Sequence, residues 1–504
     1  MTEQAEVVGV IGAGAMGRGI AQIAAVGGFP VVIWDANGQV AEDALAFITD
    51  MLKRAADKGR MTVDAAVEAT ARITVAKDLN AFKQCTIVIE AIVERLDIKQ
   101  KLFADLEAIV ADDTILASNT SSLSVTSIAA ACAKPGRVAG YHFFNPVPLM
   151  KVVEVIDAVR TEPWVSQRLI ALANAMGHKP VKAKDTPGFL VNHAGRAYNT
   201  EAFRMLGEGI AETHVIDDIL RDAVGFRMGP FELMDLTGLD VSHAVMESVY
   251  TQFYDEPKYR PSALAAGRVA AKLFGRKTGE GFYKYEKGEQ QRPTPAAAPA
   301  TLPKAIWVGP GVETVRKQVV DLATGAGVAV EGGDKPSAEA IAIVLPVGKD
   351  ATTTAVELGL NAKRVVALDP LYGWDKRRTL MSTSVTDADA RDAAHALLAS
   401  DGVAVSVIHD SPGFVAQRTV AMIVNIASDI AQQRIATPAD IETAVKLGLG
   451  YPQGPLAFGD AIGAVTVLQI LENMYAFYGD PRYRPSPWLK RRALLGVSLL
   501  TPEA

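Results

Sequence analysis

The sequence predicts a mixed fold in two rounds. A doubly wound parallel α/β sheet of Rossmann type is followed by an all-α unit, and a shortened, degenerate sheet segment is followed by a second all-α unit. Three observations predict this. Short apolar strands alternate with helical stretches through residue 184, the pattern of a parallel sheet covered on both faces. Long helical patterns then dominate to about residue 271. The segment Asp185-Thr-Pro-Gly-Phe189 returns as Asp410-Ser-Pro-Gly-Phe414, and Tyr259-Arg-Pro-Ser262 returns in step as Tyr483-Arg-Pro-Ser486. Such self-similarity marks a duplicated architecture. The boundaries read from it are a sheet over 1–184, helices over 185–286, a linker over 287–303, a degenerate sheet over 304–409 and a second helical unit over 410–504.

Taken in order, strands are expected at 6–11, 30–35, 72–76, 86–91, 114–118 and 137–142, with helices at 15–26, 41–58 and 98–110 between them. Thr186-Pro187-Gly188 reads as the start of a helix, with Asp185 or Thr186 as its cap and proline in the first turn. The run Pro293-Thr-Pro-Ala-Ala-Ala-Pro299 has a linker composition. Beyond it, 305–308, 340–347 and 364–368 read as strands again.

A chain of 504 residues exceeds one ordinary core, and roughly two to four domains are expected. With 49% hydrophobic and 21% charged residues the composition is that of a globular protein, and a net charge of -6 gives no reason to expect nucleic acid or a membrane surface as partner. Two cysteines, Cys85 and Cys132, cannot build a disulfide framework and fit a reducing compartment. The structured pattern begins by about residue 7, which leaves no room for a signal peptide, so a cytoplasmic protein is expected. No metal-ligand spacing stands out.

Gly12-Ala-Gly-Ala-Met-Gly17 follows a strand and opens a helix. Gly12 permits the tight turn, Gly14 lets the backbone approach a pyrophosphate, and Gly17 allows close helix–strand packing. The helix N-terminus then faces the anion. Asp35 ends the second strand, where a carboxylate accepts hydrogen bonds from a ribose diol and repels a 2′-phosphate. No arginine follows it in Ala36-Asn-Gly-Gln39. NAD is therefore favoured over NADP.

His142 ends a strand in Gly140-Tyr-His-Phe-Phe-Asn-Pro146, on the sheet edge where doubly wound folds collect ligands. Glu154 is a lone acid in the apolar run Lys151-Val-Val-Glu-Val155 and needs a partner to be buried. A carboxylate on one ring nitrogen of His142 would fix the tautomer and favour proton uptake at the other. Taken alone, His142 reads equally well as a satisfied core histidine and Glu154 as an edge-strand charge. Ser118-Asn-Thr-Ser-Ser122 offers hydroxyls and an amide at the same edge, or a simple capped turn. Asn192 sits in a predicted helix, where asparagine is mildly unfavourable.

At these residues the chain resembles the L-3-hydroxyacyl-CoA dehydrogenases. The resemblance is dense from Val7 to about Tyr285. Besides the glycine motif it rests on Glu90-Ala-Ile-Val-Glu94, Ala117-Ser-Asn-Thr-Ser-Ser-Leu123, His142-Phe-Phe-Asn-Pro-Val-Pro148, Asp185-Thr-Pro-Gly-Phe189 and Lys277-Thr-Gly-Glu-Gly-Phe282. It implies that His142 is the general base, that Glu154 orients it, and that Ser121 and Asn192 hold the reacting oxygen. It further implies NAD contacts at Gly12, Gly14, Met16, Gly17, Asp35, Glu94, Lys99, Ser121, Asn145 and Lys277. Lys58 is implied to contact coenzyme A; the serine that accompanies this lysine in the family is Met51 here. The long duplicated form is similar to enzymes acting on 3-hydroxyadipyl-CoA in phenylacetate catabolism, with 3-hydroxybutanoyl-CoA oxidation as the nearby alternative. A catalytically silent NAD-binding protein is the alternative of a different class.

In the second copy, counting along the chain sets Asp369, Met381 and Gln417 at the places of His142, Glu154 and Asn192. Thr314 stands where the third glycine would be. This copy is expected to be shorter, to lack strands and not to catalyse. Its helices are expected to pack on the first set as an internal pseudo-dimer, the alternative being an independent tethered domain; further homo-oligomerisation stays open.

Overall fold

The computed structural model describes residues 6–294 and 296–503. Its two compact units do not follow sequence order. One runs to His193 and also contains Gln433–Leu449; the other holds Ala194–Gln432 and the chain from Gly450.

The first unit is built on eight strands: β1 (Val8–Ile11), β2 (Val31–Trp34), β3 (Ile73–Val75), β4 (Ile87–Glu90), β5 (Ile115–Ser118), β6 (Val138–Phe143), β7 (Val152–Asp157) and β8 (Lys179–Lys184). Their order is β3-β2-β1-β4-β5-β6-β7-β8. Pairing is parallel except where β7 turns back against β6. β1, β4 and β5 are buried along their whole length, as a strand covered by helices on both faces must be. The chain order reverses between β1 and β4, so a crevice opens beyond their carboxyl ends. Ile11 is in register with both Trp34 and Glu90, which brings the ends of three strands to one level. The excursion from β2 to β3 carries the helices Gly38–Asp57 and Val63–Ala71.

Each strand expected in this sheet is present. β8 lies outside the expectation because Lys179, Lys182 and Lys184 alternate with Pro180, Val181 and Ala183, and only Val181 and Ala183 are buried. This is an edge strand whose lysines face outward. Its last N–H, of Lys184, donates to the carbonyl of Ile435 at 3.0 Å, and the helix Pro438–Ala444 packs on it. The second helical copy thus covers the edge of the first sheet.

The second unit contains a six-stranded sheet: β11 (Ala305–Val308), β12 (Ala329–Glu331), β13 (Ile341–Val344), β14 (Val365–Leu368), β15 (Arg377–Ser382) and β16 (Ala404–Ile408), in the order β12-β11-β13-β14-β15-β16. β15 is antiparallel to β14, as β7 is to β6. Among the described residues, β3 and β4 have no counterpart. A small hairpin of β9 (Lys284–Glu286) and β10 (Glu289–Gln291) precedes the sheet. The stretch expected to be linker from residue 287 therefore begins as ordered hairpin, and Arg292 after it is ion-paired with Asp218 and Glu232.

The two helical sets repeat in order, with the helices Val191–Ala194 and Arg196–Gly207 of the first fused into one in the second. Arg196–Gly207 matches Ala416–Gln432, and the π-helical turns Ile219–Val224 and Val445–Leu449 fall at equal places. Arg196–Gly207 packs along Ala416–Gln432, which is buried on nearly every face. At this contact Arg418 and Glu201, both 0% exposed, pair at 2.7 Å, and Arg482 reaches the other Glu201 oxygen at 2.9 Å. Burial pushes the Glu201 carboxyl up, but the charges of Arg418 and Arg482 outweigh it and hold it down at about 2. In this unit the His409 N–H after β16 donates to the Ile210 carbonyl at 2.9 Å, the mirror of the Lys184–Ile435 bond in the other unit.

Among the described residues no single helix is long and apolar enough to cross a membrane.

Candidate active site

The glycine motif folds as its spacing requires. Gly12 has φ +94, and a Cβ there would meet the Ala91 carbonyl oxygen at 2.5 Å. A Cβ on Gly17 would lie 1.7 Å from the Gly12 oxygen. On Gly14 a Cβ would meet nothing within 4 Å, so this face of the loop is open to an approaching ligand. Gly14 caps the helix Ala15–Val26 without any side-chain hydrogen bond, which leaves the first N–H groups of the helix for an anion. Met16 packs partly on the core beneath. Asp35, just past β2, accepts from Ala13 N at 2.8 Å and Asn37 N at 3.0 Å. It ties the loop to the strand and leaves a carboxylate at the end of β2. These residues fit NAD.

A polar chain runs from the end of β4 to the serine cluster. Glu90, at the end of β4, is fully buried and accepts from Lys99 Nζ at 2.5 Å, Ile92 N at 2.7 Å and Ser118 Oγ at 2.7 Å. Lys99 is 1% exposed and lies 3.3 Å from Glu94. One oxygen of Glu94 then accepts from Thr120 Oγ1 and Ser121 N, both at 2.8 Å, and from Ser122 N at 3.0 Å. Burial raises the Glu94 carboxyl, but the Lys99 charge and these bonds together outweigh it and keep it below its ordinary value. Sequence reasoning names Lys99 and Glu94 but assigns no role to Glu90 or Ser118. An acid closing the apolar strand Ile87-Val-Ile-Glu90 is the available signal, since such a carboxylate must find a partner.

His142 and Glu154 face each other across the antiparallel pair of β6 and β7, in direct register. His142 Nδ1 and Glu154 Oε2 are 2.5 Å apart. The other Glu154 oxygen accepts from Leu190 N at 2.9 Å and Val191 N at 2.8 Å. Those two N–H groups are aimed by the Pro187-Gly188-Phe189 turn, where Gly188 (φ +73) and Phe189 (φ +49) are both left-handed. A non-glycine residue in that region is strained by about 1–2 kcal/mol; the fully buried Phe189 ring, 5.9 Å from the His142 ring, offsets it by packing. Phe144 packs on the imidazole at 4.5 Å.

Asp185 does not cap the helix that follows it. Its carboxylate accepts from Ser124 Oγ at 2.8 Å, Val125 N at 3.0 Å and Thr126 N at 2.7 Å, and so caps the helix Val125–Ala129 far earlier in the chain. Asp410 does the same for the helix Ala351–Glu357, accepting from Ala351 N at 2.8 Å and Thr352 N at 3.1 Å. The repeated turn is thus a tertiary cap in both copies. A local reading of Thr-Pro-Gly could not show this, because both recipients lie about sixty residues upstream.

Asn119 Oδ1 accepts from Phe143 N at 2.8 Å and joins the serine loop to the histidine strand. Asn192 Nδ2 lies 3.5 Å from the Ser121 carbonyl. The first unit therefore gathers His142, Glu154, Ser121, Asn192, Glu94 and the glycine turn at one edge of its sheet. Asn145 is exposed in the loop just after β6, and Lys58 is exposed at the end of the helix Gly38–Asp57. Lys277 belongs to the second unit, where its ammonium pairs with Asp240 at 2.5 Å.

In the second copy Asp369 N bonds to the Thr379 carbonyl, and the register of β14 on β15 sets Thr379, not Met381, at the place of Glu154. The connection between those strands is two residues shorter than in the first copy, which a constant offset could not reveal. Gln417 is fully buried, donates to Asp369 Oδ1 at 2.9 Å and accepts from Gly348 N at 2.8 Å. Its amide ties the loop after β13 to the end of β14. Burial pushes the Asp369 carboxyl up to about 6.

Comparison with known proteins agrees with the fold. Residues 7–186 match the model for the 3-hydroxyacyl-CoA dehydrogenase NAD binding domain, and 188–285 and 413–498 both match the model for the C-terminal domain of the same family. The 3-hydroxyadipyl-CoA dehydrogenase of Escherichia coli strain K12 is 37% identical over 97% of this chain and 98% of its own. A probable 3-hydroxybutyryl-CoA dehydrogenase of Deinococcus radiodurans is 43% identical but covers 55% of this chain and 99% of its own. Among solved structures, a 3-hydroxybutyryl-CoA dehydrogenase from Escherichia coli K12 superposes with a TM-score of 0.85 at 36% identity, over 98% of this chain and 99% of that one. The chain belongs to the 3-hydroxyacyl-CoA dehydrogenase family and is an NAD-dependent oxidoreductase.

Proposed function

We propose that the chain oxidises (3S)-3-hydroxyadipyl-CoA to the 3-oxoacyl-CoA, as a step of phenylacetate catabolism, at a single site made of His142, Glu154, Ser121 and Asn192. The observation that carries the site is the His142–Glu154 pair at 2.5 Å. The observation that supports the substrate is a relative of that name matching through both copies, whereas the short 3-hydroxybutyryl-CoA relative matches about half of the chain. A structural relative spanning both copies carries the 3-hydroxybutyryl name, which keeps the shorter substrate as the second reading.

When bound, NAD supplies the acceptor for the hydride that leaves C3. His142 Nε2 takes the hydroxyl proton as the C3–O bond becomes a carbonyl. Glu154, through Nδ1, keeps Nε2 unprotonated beforehand and stabilises the imidazolium afterwards. The Leu190 and Val191 N–H groups hold Glu154 in place. Ser121 and Asn192 fix the reacting oxygen, and such positioning supplies much of the rate. Asp35 and the glycine turn bind the cofactor; Lys99 acts on it through Glu94 rather than by contact. Lys58 meets the phosphates of coenzyme A. In the same reading the second helical copy takes the place of a partner subunit.

Steady-state kinetics on 3-hydroxyadipyl-CoA and 3-hydroxybutanoyl-CoA test the proposal. The expected result is a kcat/KM at least about tenfold higher for the adipyl substrate; equal values, or the reverse order, would leave the butanoyl reading. His142→Gln separates both from a silent NAD-binding protein: it should abolish turnover while NADH still binds.

A further inference from the structure

We infer that Gly448, in the second copy of the helical domain, is a positioning residue for the His142–Glu154 pair of the first sheet. The inference rests on the dyad reading above. Gln433–Leu449 is part of the first unit, fixed at one end by the Lys184–Ile435 bond. At its other end the π-helical turn Val445–Leu449 carries Gly448. A Cβ built on Gly448 would lie 3.0 Å from both γ-carbons of Val191. Val191 is buried and β-branched, with little rotamer freedom to turn away. Its N–H is one of the two that hold Glu154. Gly448 therefore seats Val191, Val191 seats Glu154, and Glu154 seats the imidazole.

The duplication supplies the control. Ala223 and Ala416 occupy the places of Gly448 and Val191 in the other half, as the matching turns and the following left-handed Gly225 and Gly450 fix the alignment. Where the sheet holds no dyad, the pair is alanine and alanine. Where it holds one, the pair is glycine against valine. Gly448 is not among the residues with positive φ, so the requirement there is for space and not for backbone freedom.

The test uses the full chain. Gly448→Ala should push Val191 by a few tenths of an ångström and lower kcat by about tenfold or more, since small displacements of a catalytic group are costly. KM for the acyl-CoA and affinity for NADH should stay within about twofold, because Lys58 and the cofactor residues are untouched. Adding Val191→Ala removes the clash while keeping the N–H, and the V191A/G448A pair should regain most of the lost kcat. An unchanged kcat in G448A, with His142→Gln inactive, overturns the inference and leaves the dyad intact. A loss that V191A does not recover overturns it also. Should G448A be insoluble alone, the pair decides: soluble and active supports the inference, soluble and inactive overturns it.

Discussion

Glu154→Gln is the sharpest probe of the site, because the structure dictates which way the new amide must face. The carboxylate accepts three hydrogen bonds, one from the histidine side and two from Leu190 N and Val191 N. Glutamine has one acceptor oxygen and one NH2 group. If the NH2 faced Leu190 and Val191, two buried N–H groups would lose their acceptor, at about 1–3 kcal/mol each. The oxygen therefore turns to the backbone and the NH2 to His142 Nδ1. Nδ1 must then accept, so the ring proton moves to Nε2 and the base can no longer take the substrate proton. Enforcing the wrong histidine tautomer by an acid-to-amide change costs about ten-thousandfold in turnover in serine proteases, or about 5.4 kcal/mol. The assay is NADH formation under saturating substrates, with NADH affinity measured separately by fluorescence. Turnover of E154Q within about tenfold of wild type would refute the reasoning, since no correct tautomer survives in the predicted arrangement.

Other substitutions follow from the same structure. Asp35→Ala removes the carboxylate proposed to face the ribose, and NAD should bind roughly ten- to hundredfold more weakly by titration, the loss of charge-assisted bonds. Asp369 has a folded value of about 6 against an ordinary 3.8. A raised acid opposes folding once ionised, so that stability is lost as pH rises from about 4 through 6, by up to about 3 kcal/mol. Asp369→Asn should flatten that dependence, read from urea midpoints at several pH values. Arg418→Met leaves the buried Glu201 with Arg482 as its remaining charge partner and should lower stability by up to about 3–5 kcal/mol, with part recovered by adding Glu201→Gln. Cleavage within 287–303 tests the pseudo-dimer: an N-terminal fragment that is soluble, monomeric and fully active would sink it.

What can be read from the residues alone divides along a physical line. The glycine turn and Asp35 are legible because each requirement is local: a tight turn, a close approach, an acid at a strand end. His142 and Glu154 are legible as two groups that each need a partner, and one short return of the chain joins them. The role of Asp185 is hidden because its partners lie far upstream, and a cap looks the same in sequence whichever helix it serves. Thr379 escapes a count because register follows the hydrogen bonds of β14 and β15 and not a fixed offset. The membership of Gln433–Leu449 in the first unit is invisible, since nothing in an amphipathic helix names the surface it will cover.

The two cross-bonds, Lys184 to Ile435 and His409 to Ile210, are alike in space but not in time. During synthesis the edge of the second sheet finds Ile210 already made. The edge of the first sheet must wait for Ile435. At roughly 5–20 residues per second this interval lasts on the order of ten to fifty seconds, with the outer edge of β8 uncovered on the ribosome. Its alternating lysines suit that wait: they keep a nascent open edge from recruiting a stray strand until its own cover emerges.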